Sequence, residues 1–215
     1  MVNKKSKLKL AAGIIFFNDC SSLDRCLKSI ENGVDAIFAV DGRFPNFPAN
    51  SDLSTDGSRE LVRSYSKSVL IDLPGLEVDK RTKYLEHCSL YSIDVLLIID
   101  SDEYVLNPEN WNKFHNNLKS LILGRDMDKY NVYAINLQTL GKSKEFLAYS
   151  RVRHKPDEME YYGNRHYYFR NKNPLKLIVP HQADHSGNLI EGIDLGHNHE
   201  LRGDSHQTSR FAYQM

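Results

Sequence analysis

The chain predicts an α/β fold: a mainly parallel sheet with helices on both faces, followed by a half of mixed strand direction. Three observations carry this expectation. In the first half, apolar runs of strand length alternate with helical patterns, which implies right-handed crossovers and parallel strands. Those runs are nearly continuous rather than alternating, as strands buried on both faces require. Beyond about residue 105, strand-like stretches follow one another and the alternation stops.

The elements follow in order. Residues 8–17 form an apolar run read as the first strand. Ser21 or Ser22 can cap a helix in which Leu23, Cys26, Leu27 and Ile30 fall at i, i+3, i+4 and i+7, and Asn32-Gly33 ends it. Residues 34–40 make a second strand that stops at Asp41-Gly42. A polar, proline-bearing loop comes next, and Asp56-Gly57-Ser58 opens a helix with Leu61, Val62 and Tyr65. Residues 68–73 are a third strand, broken by Pro74-Gly75, and a further helix carries Tyr84, Leu85 and Cys88. Residues 94–99 hold the strongest strand signal, Val95-Leu96-Leu97-Ile98-Ile99. A helix over 109–122 and strands near 132–137, 148–152, 167–169 and 175–179 fill the second half, and an amphipathic stretch spans 200–213. These patterns divide a single domain into halves, 1–105 and 106–215, that share one sheet.

Composition narrows the function classes. The chain has 215 residues, 40% of them hydrophobic, enough for one domain with a core. Lys plus Arg and Asp plus Glu are both 28. This balance argues against nucleic acid or an anionic membrane surface as the main partner. No apolar stretch has the length to cross a bilayer. The basic lead-in Lys4, Lys5, Lys7, Lys9 precedes an apolar run too short for a secretory signal and without a small-residue cleavage pattern. Cys20, Cys26 and Cys88 have neither disulfide-framework nor zinc spacing and read as reduced thiols. The expected location is the cytoplasm.

Ligands of open parallel sheets bind outside the carboxyl ends of the strands. Here three strand ends carry Asn18-Asp19, Asp41 and Asp100. Asp100-Ser101-Asp102 follows five apolar residues; in extended backbone, i and i+2 point the same way. Two carboxylates together repel unless a cation lies between them, and a hard divalent ion suits them and bridges to a diphosphate. A polar strand end or helix cap uses the same residue types. Late in the chain, Ile193 and Leu195 alternate as a strand would, and His197 and His199 follow at the next alternate positions.

The order of these motifs resembles a family 2-type glycosyltransferase with the GT-A fold. The matches are Ile14-Ile15-Phe16-Phe17-Asn18, Phe38-Ala39-Val40-Asp41, Ser54-Thr55-Asp56-Gly57-Ser58 and Ile98-Ile99-Asp100-Ser101-Asp102. They cover about residues 8–105. The chain departs from the family by an insertion between Asp41 and Ser54, which makes residues 43–50 a candidate lid or acceptor contact. The resemblance implies a nucleotide-sugar-binding half and an acceptor-binding half. It implies transfer of a sugar from a nucleotide-diphosphate sugar, UDP-sugar by default, to a hydroxyl acceptor with inversion, in a hexosyltransferase-like reaction. It implies Mn2+ or Mg2+, held directly by Asp102, with Asp100 at the ribose or a metal-bound water and His197, or else His199, as a further ligand. Asn18 and Asp41 would lie near base and ribose, and Lys80, Arg81 and Lys83 near the nucleotide or its phosphates.

Some assignments stay open. Glu158 and Glu160 are the candidate catalytic bases, with Asp157 and Glu145 competing. The stretch Arg151-Val152-Arg153, then Tyr161-Tyr162-Gly163 and His166, resembles a pattern of some members, except that Tyr167 stands where Glu often follows the His. The acceptor can be a glycan, a lipid-linked sugar or a protein. The rival readings are a nucleotidyltransferase, a nucleotide- or carbohydrate-binding module without turnover, and a metal-dependent phosphohydrolase. The first of these usually needs a glycine-rich basic loop after the first strand, where this chain has Asn18-Asp19-Cys20-Ser21-Ser22.

Overall fold

Strand β1 (Leu10–Phe16) is buried along its whole length, as its unbroken apolar composition demands. The computed structural model describes residues 7–124, 132–140, 146–161, 167–169 and 189–198. After β1 come α1 (Cys20–Ile30), β2 (Ala36–Asp41), α2 (Ser58–Ser64), β3 (Ser68–Asp72), α3 (Glu77–Leu90) and β4 (Val95–Ile98). Then follow β5 (Glu103–Val105), α4 (Trp111–Gly124), β6 (Val132–Leu140), β7 (Phe146–His154), β8 (Met159–Tyr161), β9 (Tyr167–Phe169) and β10 (Leu195–Asn198).

One eight-stranded sheet runs in the order β3-β2-β1-β4-β7-β6-β10-β5, and β8 pairs with β9 in a separate ribbon. Strands β1 to β4 are parallel. Strand β7 is antiparallel to both β4 and β6. Two reversals restore the original direction, so β6 and its parallel neighbour β10 run the same way as β1. Strand β5 then pairs antiparallel with β10 at the sheet edge. The predicted α/β class, with its parallel first half and mixed second half, is the observed one.

Period-two alternation divides the core between two layers. Leu10, Ala12 and Ile14 of β1 join Leu23, Cys26, Leu27 and Ile30 of α1 and Trp111, Phe114 and Leu118 of α4 on one face. Ala11 and Ile15 join Tyr84, Leu85 and Cys88 of α3 on the other. The chain moves from β1 to β2 and β3 in one direction, then crosses back to β4 on the far side of β1. That reversal creates a crevice between the carboxyl ends of β1 and β4.

Local differences from the sequence reading have physical reasons. The chain does not stay extended through Asp102: Glu103 N donates to Asp100 O at 2.9 Å, and this turn feeds β5, a three-residue strand the apolar pattern did not announce. Neither Ser21 nor Ser22 caps α1, which begins at Cys20. The amide of Cys20 is instead satisfied by Asp56 Oδ2 at 2.9 Å, across the chain. The predicted 109–122 helix starts with a 3-10 turn at Pro108–Asn110, where proline pre-sets the first turn, and continues as α4. The predicted strand at 175–179 and the stretch at 200–213 lie outside the described residues. No described helix is long and apolar enough to cross a membrane.

Trp111 closes the α4 layer: its indole Nε1 donates to Ser29 O at 3.1 Å. Its ring lies where a side chain at Gly33 would be, for a Cβ there would sit 2.0 Å from Trp111 Cδ2. Gly33→Ala is therefore expected to displace Trp111 and cost about 1–3 kcal/mol, the usual range for overpacking, as read by urea unfolding. An unchanged midpoint would show that the turn gives way without strain.

Candidate active site

The segment Ser54-Thr55-Asp56-Gly57-Ser58 is strapped across the end of β1, and each residue type has a task. Asn18 takes φ 47°, a left-handed conformation that Asn tolerates better than most residues. Its amide donates to Ser54 Oγ at 2.8 Å, and its Oδ1 accepts from Thr55 N at 2.8 Å. Asp56 Oδ1 accepts from Ser58 N at 3.1 Å and Ser58 Oγ at 2.5 Å, which starts α2. Gly57 supplies φ 95°. Ser58 Oγ in turn accepts from Asp19 N at 3.1 Å.

Asp41, at the end of β2, is wholly buried. Its carboxylate accepts from Ser54 Oγ at 2.6 Å, Ser54 N at 3.0 Å and Arg59 Nη1 at 2.6 Å. Arg59 continues to Asp72, with Nη1 to Oδ1 at 2.8 Å and Nη2 to Oδ2 at 2.9 Å. The hydrogen bonds from Arg59 hold the Asp72 carboxyl below its ordinary range. Arg59 thus ties the ends of β2 and β3 to α2. It escaped the sequence reading because a lone Arg early in a helix carries no pattern.

Past β4, two carboxylates take different partners. Asp100 Oδ1 receives Arg81 Nη2 at 3.1 Å, and Arg151 Nη2 lies 3.8 Å from Oδ2. Arg151 of β7 also donates to Glu103 Oε1, and Glu103 Oε2 accepts from Asp100 N at 2.8 Å. Arg81 continues to Glu77 at 2.6 Å and to Tyr84 Oη at 3.0 Å. Arg81, Arg151, Asp100 and Glu103 are all buried, so each charge needs its counter-charge. Burial pushes the Glu103 carboxyl upward, against the pull of the Arg151 guanidinium. The sequence signal for this cluster is Arg151, a charge inside a strand pattern, which the structure buries against Glu103.

Asp102 faces His197, with Oδ2 and Nε2 2.7 Å apart. The sheet explains the meeting. Strand β10 ends at the same edge as β1 and β4, and its antiparallel pairing with β5 sets His197 opposite Glu103, the residue after Asp102. A second link closes the crevice: Ser101 Oγ donates to Asp19 Oδ2 at 2.5 Å. Cys26 lies beneath, its Sγ 3.7 Å from Asp100 O, and burial pushes its thiol well upward. All three cysteines are free thiols, Cys26 and Cys88 buried and Cys20 half-buried.

Asp102 and His197 offer one carboxylate and one imidazole, donors that suit a divalent ion. Among the described residues no group of three His, Cys, Asp or Glu side chains forms a metal cage. The donor set fits an ion that arrives with a diphosphate and completes its shell with phosphate oxygens and water, as Mg2+ sites commonly do.

The basic residues of α3 separate. Lys80 is buried, donates to Gly42 O and lies over the Phe44 ring at 3.6 Å. Arg81 serves Asp100, as above. Lys83 points outward and pairs with Glu86 at 2.7 Å. The structure therefore brings Arg81 and Asp100 together, links Asn18 and Asp41 through the Ser54–Thr55 strap, and leaves Lys83 on the surface.

Glu158 is not brought to this edge. Strand β7 is antiparallel to β4, and its last residue, His154, pairs with Val95, where β4 begins. Lys155 N donates to Asp94 O at 2.9 Å, so residues 155–158 leave the sheet at its opposite edge. At 3.3 Å per residue, that is about 17 Å from Asp100. Glu160 follows in β8, which packs along α3. Glu145, Tyr162, Gly163, His166 and His199 lie outside the described residues.

No family model matches the chain, and no curated protein matches it. Among solved structures it is similar to S. aureus TarS 1-349, at 17% identity and a TM-score of 0.44, over 63% of this chain and 37% of that one. TarS 1-349 in complex with UDP-GlcNAc gives 17% identity and 0.39, over 64% and 36%. A mannose-1-phosphate geranyltransferase from Thermus thermophilus gives 10% identity and 0.40, over 89% and 58%. The chain thus spans little more than a third of the TarS 1-349 structure.

Two outcomes are expected of the charged groups. Arg151→Met leaves Glu103 buried without that guanidinium and should cost about 3–5 kcal/mol in denaturant unfolding; a loss below about 1 kcal/mol would deny the pair this role. Asp72→Asn tests the Arg59 link by pH. A depressed carboxyl adds stability above the unfolded value of about 3.9 and loses it as pH falls through the lower folded value. The stability gap between wild type and Asp72→Asn should thus be open at neutral pH and close in acid; a gap independent of pH would count against the link.

Proposed function

We propose that this chain is a glycosyltransferase that moves a sugar from a nucleoside-diphosphate sugar, UDP-sugar by default, to a hydroxyl acceptor. The observation that supports it best is the Asp102–His197 pair, 95 residues apart in sequence and 2.7 Å apart in space, at the carboxyl edge of the sheet. That edge, at the reversal of strand order, is where open α/β sheets bind nucleotides. Asp102 and His197 would hold Mn2+ or Mg2+ there. The ion, when bound, supplies neutralisation of charge on the leaving diphosphate.

The chain's own residues do the rest. Asp100 is held between Arg81 and Arg151, so it orients the turn that presents Asp102 and is less suited than Asp102 to ligate a cation. Asn18 and the Ser54–Thr55 strap build the wall at the end of β1. Direct displacement by the acceptor hydroxyl, with inversion, needs a base to take the acceptor's proton. The position of Glu158 at the opposite edge favours a base from elsewhere in the acceptor half.

Thermal unfolding with UDP and Mn2+ tests this reading. Wild type should gain stability with UDP only when Mn2+ is present, and both Asp102→Ala and His197→Ala should remove most of that gain. At a ligand concentration of about 100 Kd the gain amounts to roughly 2.7 kcal/mol. Equal stabilisation with and without metal, untouched by Asp102→Ala, would sink the proposal. Acceptor-stimulated release of UDP from UDP-sugar then separates a transferase from a phosphohydrolase.

A further inference from the structure

Asp102 and His197 meet in one register of β5 against β10, and little backbone holds that register. Strand β5 has three residues and lies at the sheet edge, where β10 is its sheet neighbour among the described residues. The pairing sets Leu195 opposite Val105, Gly196 opposite Tyr104 and His197 opposite Glu103. Ladder hydrogen bonds are alike in every register, so the choice between registers falls to side chains. A slip of one residue would carry His197 about 3.4 Å along β10, more than its whole 2.7 Å contact with Asp102.

The middle pair is the one whose side chains fit this register and no neighbouring one. The Tyr104 ring lies across Gly196: a Cβ there would sit 2.8 Å from Tyr104 Cζ and 3.1 Å from Cε1. A ring laid over a cross-strand glycine covers exposed backbone and strengthens an edge pair. One residue to either side, the ring would meet Leu195 or His197, whose side chains need the space that Gly196 leaves empty. Arg25 of α1 lies over the same ring, its Cζ 4.0 Å from the ring centroid. Arg25 Nη2 is buried and makes no hydrogen bond among the described residues, which leaves the ring to stabilise this end of the guanidinium. One helical turn later Ser29 Oγ accepts from Val105 N at 3.0 Å, so one face of α1 holds β5 at two successive residues.

We propose that Arg25 and Tyr104, stacked over Gly196, are positioning residues that lock the β5–β10 register in which His197 meets Asp102. They act through His197 and supply no ligand of their own. The consequence for ion binding rests on the ligand role proposed above for the pair, whereas the contact itself can be read without an ion.

Two measurements on the full chain test the lock, each on wild type, Tyr104→Phe, Tyr104→Leu and Arg25→Met. The first follows the side-chain nitrogens of His197 by NMR in metal-free protein, with and without Asp102→Asn. In wild type and Tyr104→Phe the His197 Nε2 signal should move when Asp102 is changed. In Tyr104→Leu and Arg25→Met that response should be lost, and Gly196→Ala, which denies the ring its place, should lose it too. The second is calorimetric binding of Mn2+ in the presence of UDP. Tyr104→Leu and Arg25→Met should weaken it about tenfold, as loss of a group that orients a metal ligand does, and Tyr104→Phe should stay within about twofold. Arg25→Met keeps the aliphatic stem at a half-buried site, so the test holds if Tyr104→Leu fails to fold. An unchanged His197 response in Arg25→Met, a lost response in Tyr104→Phe, or a wild-type His197 indifferent to Asp102→Asn overturns the inference. A wild type whose His197 responds but which binds no Mn2+ with UDP overturns the ligand reading beneath it, and the NMR response alone then decides the lock.

Discussion

The parallel pairing of β1 between β2 and β4 is the constraint from which the rest of the structure follows. Once β1 is buried on both faces and flanked on both sides, the chain must wind away from it in two directions. Right-handed crossovers then put α1 on one face and α3 on the other. The same winding opens the crevice at the carboxyl edge and sets Asn18, Asp41 and Asp100 around it. Side-chain chemistry at the site is thus a consequence of backbone hydrogen bonding in the central strands.

Around that crevice, charge is spent on holding loops and strand ends in place. Arg59 is bound between Asp41 and Asp72, Arg81 between Glu77 and Asp100, and Arg151 between Asp100 and Glu103. Each buried ion demands a partner because its desolvation is otherwise uncompensated. The result is a set of connections between strand ends, beside which the Asp102–His197 pair lies at the same edge.

The insertion after Asp41 belongs to the same design. Residues 42–53 look like a polar loop in sequence, yet Lys80 of α3 donates to Gly42 O and Phe17, just past β1, packs against Phe47.

Much of this was legible in the sequence. The continuous apolar runs announced a doubly covered parallel sheet, and the polar residues that end them announced its carboxyl edge. The Ser-Thr-Asp-Gly-Ser element could be read as a helix start because its hydrogen bonds are local, between residues two apart. What stayed hidden depended on register and strand direction. That Asp100 belongs to Arg81 and Arg151 while Asp102 belongs to His197 follows from a turn at 100–103 and from β5 pairing with β10. That Glu158 leaves from the far edge follows from the antiparallel course of β7. The sequence by itself determined which apolar runs would be buried and where the first strands would end, because hydrophobic period and turn chemistry are written residue by residue. Only the tertiary structure decided which strand ends meet, because pairing across 95 residues is set by sheet order and not by any local pattern.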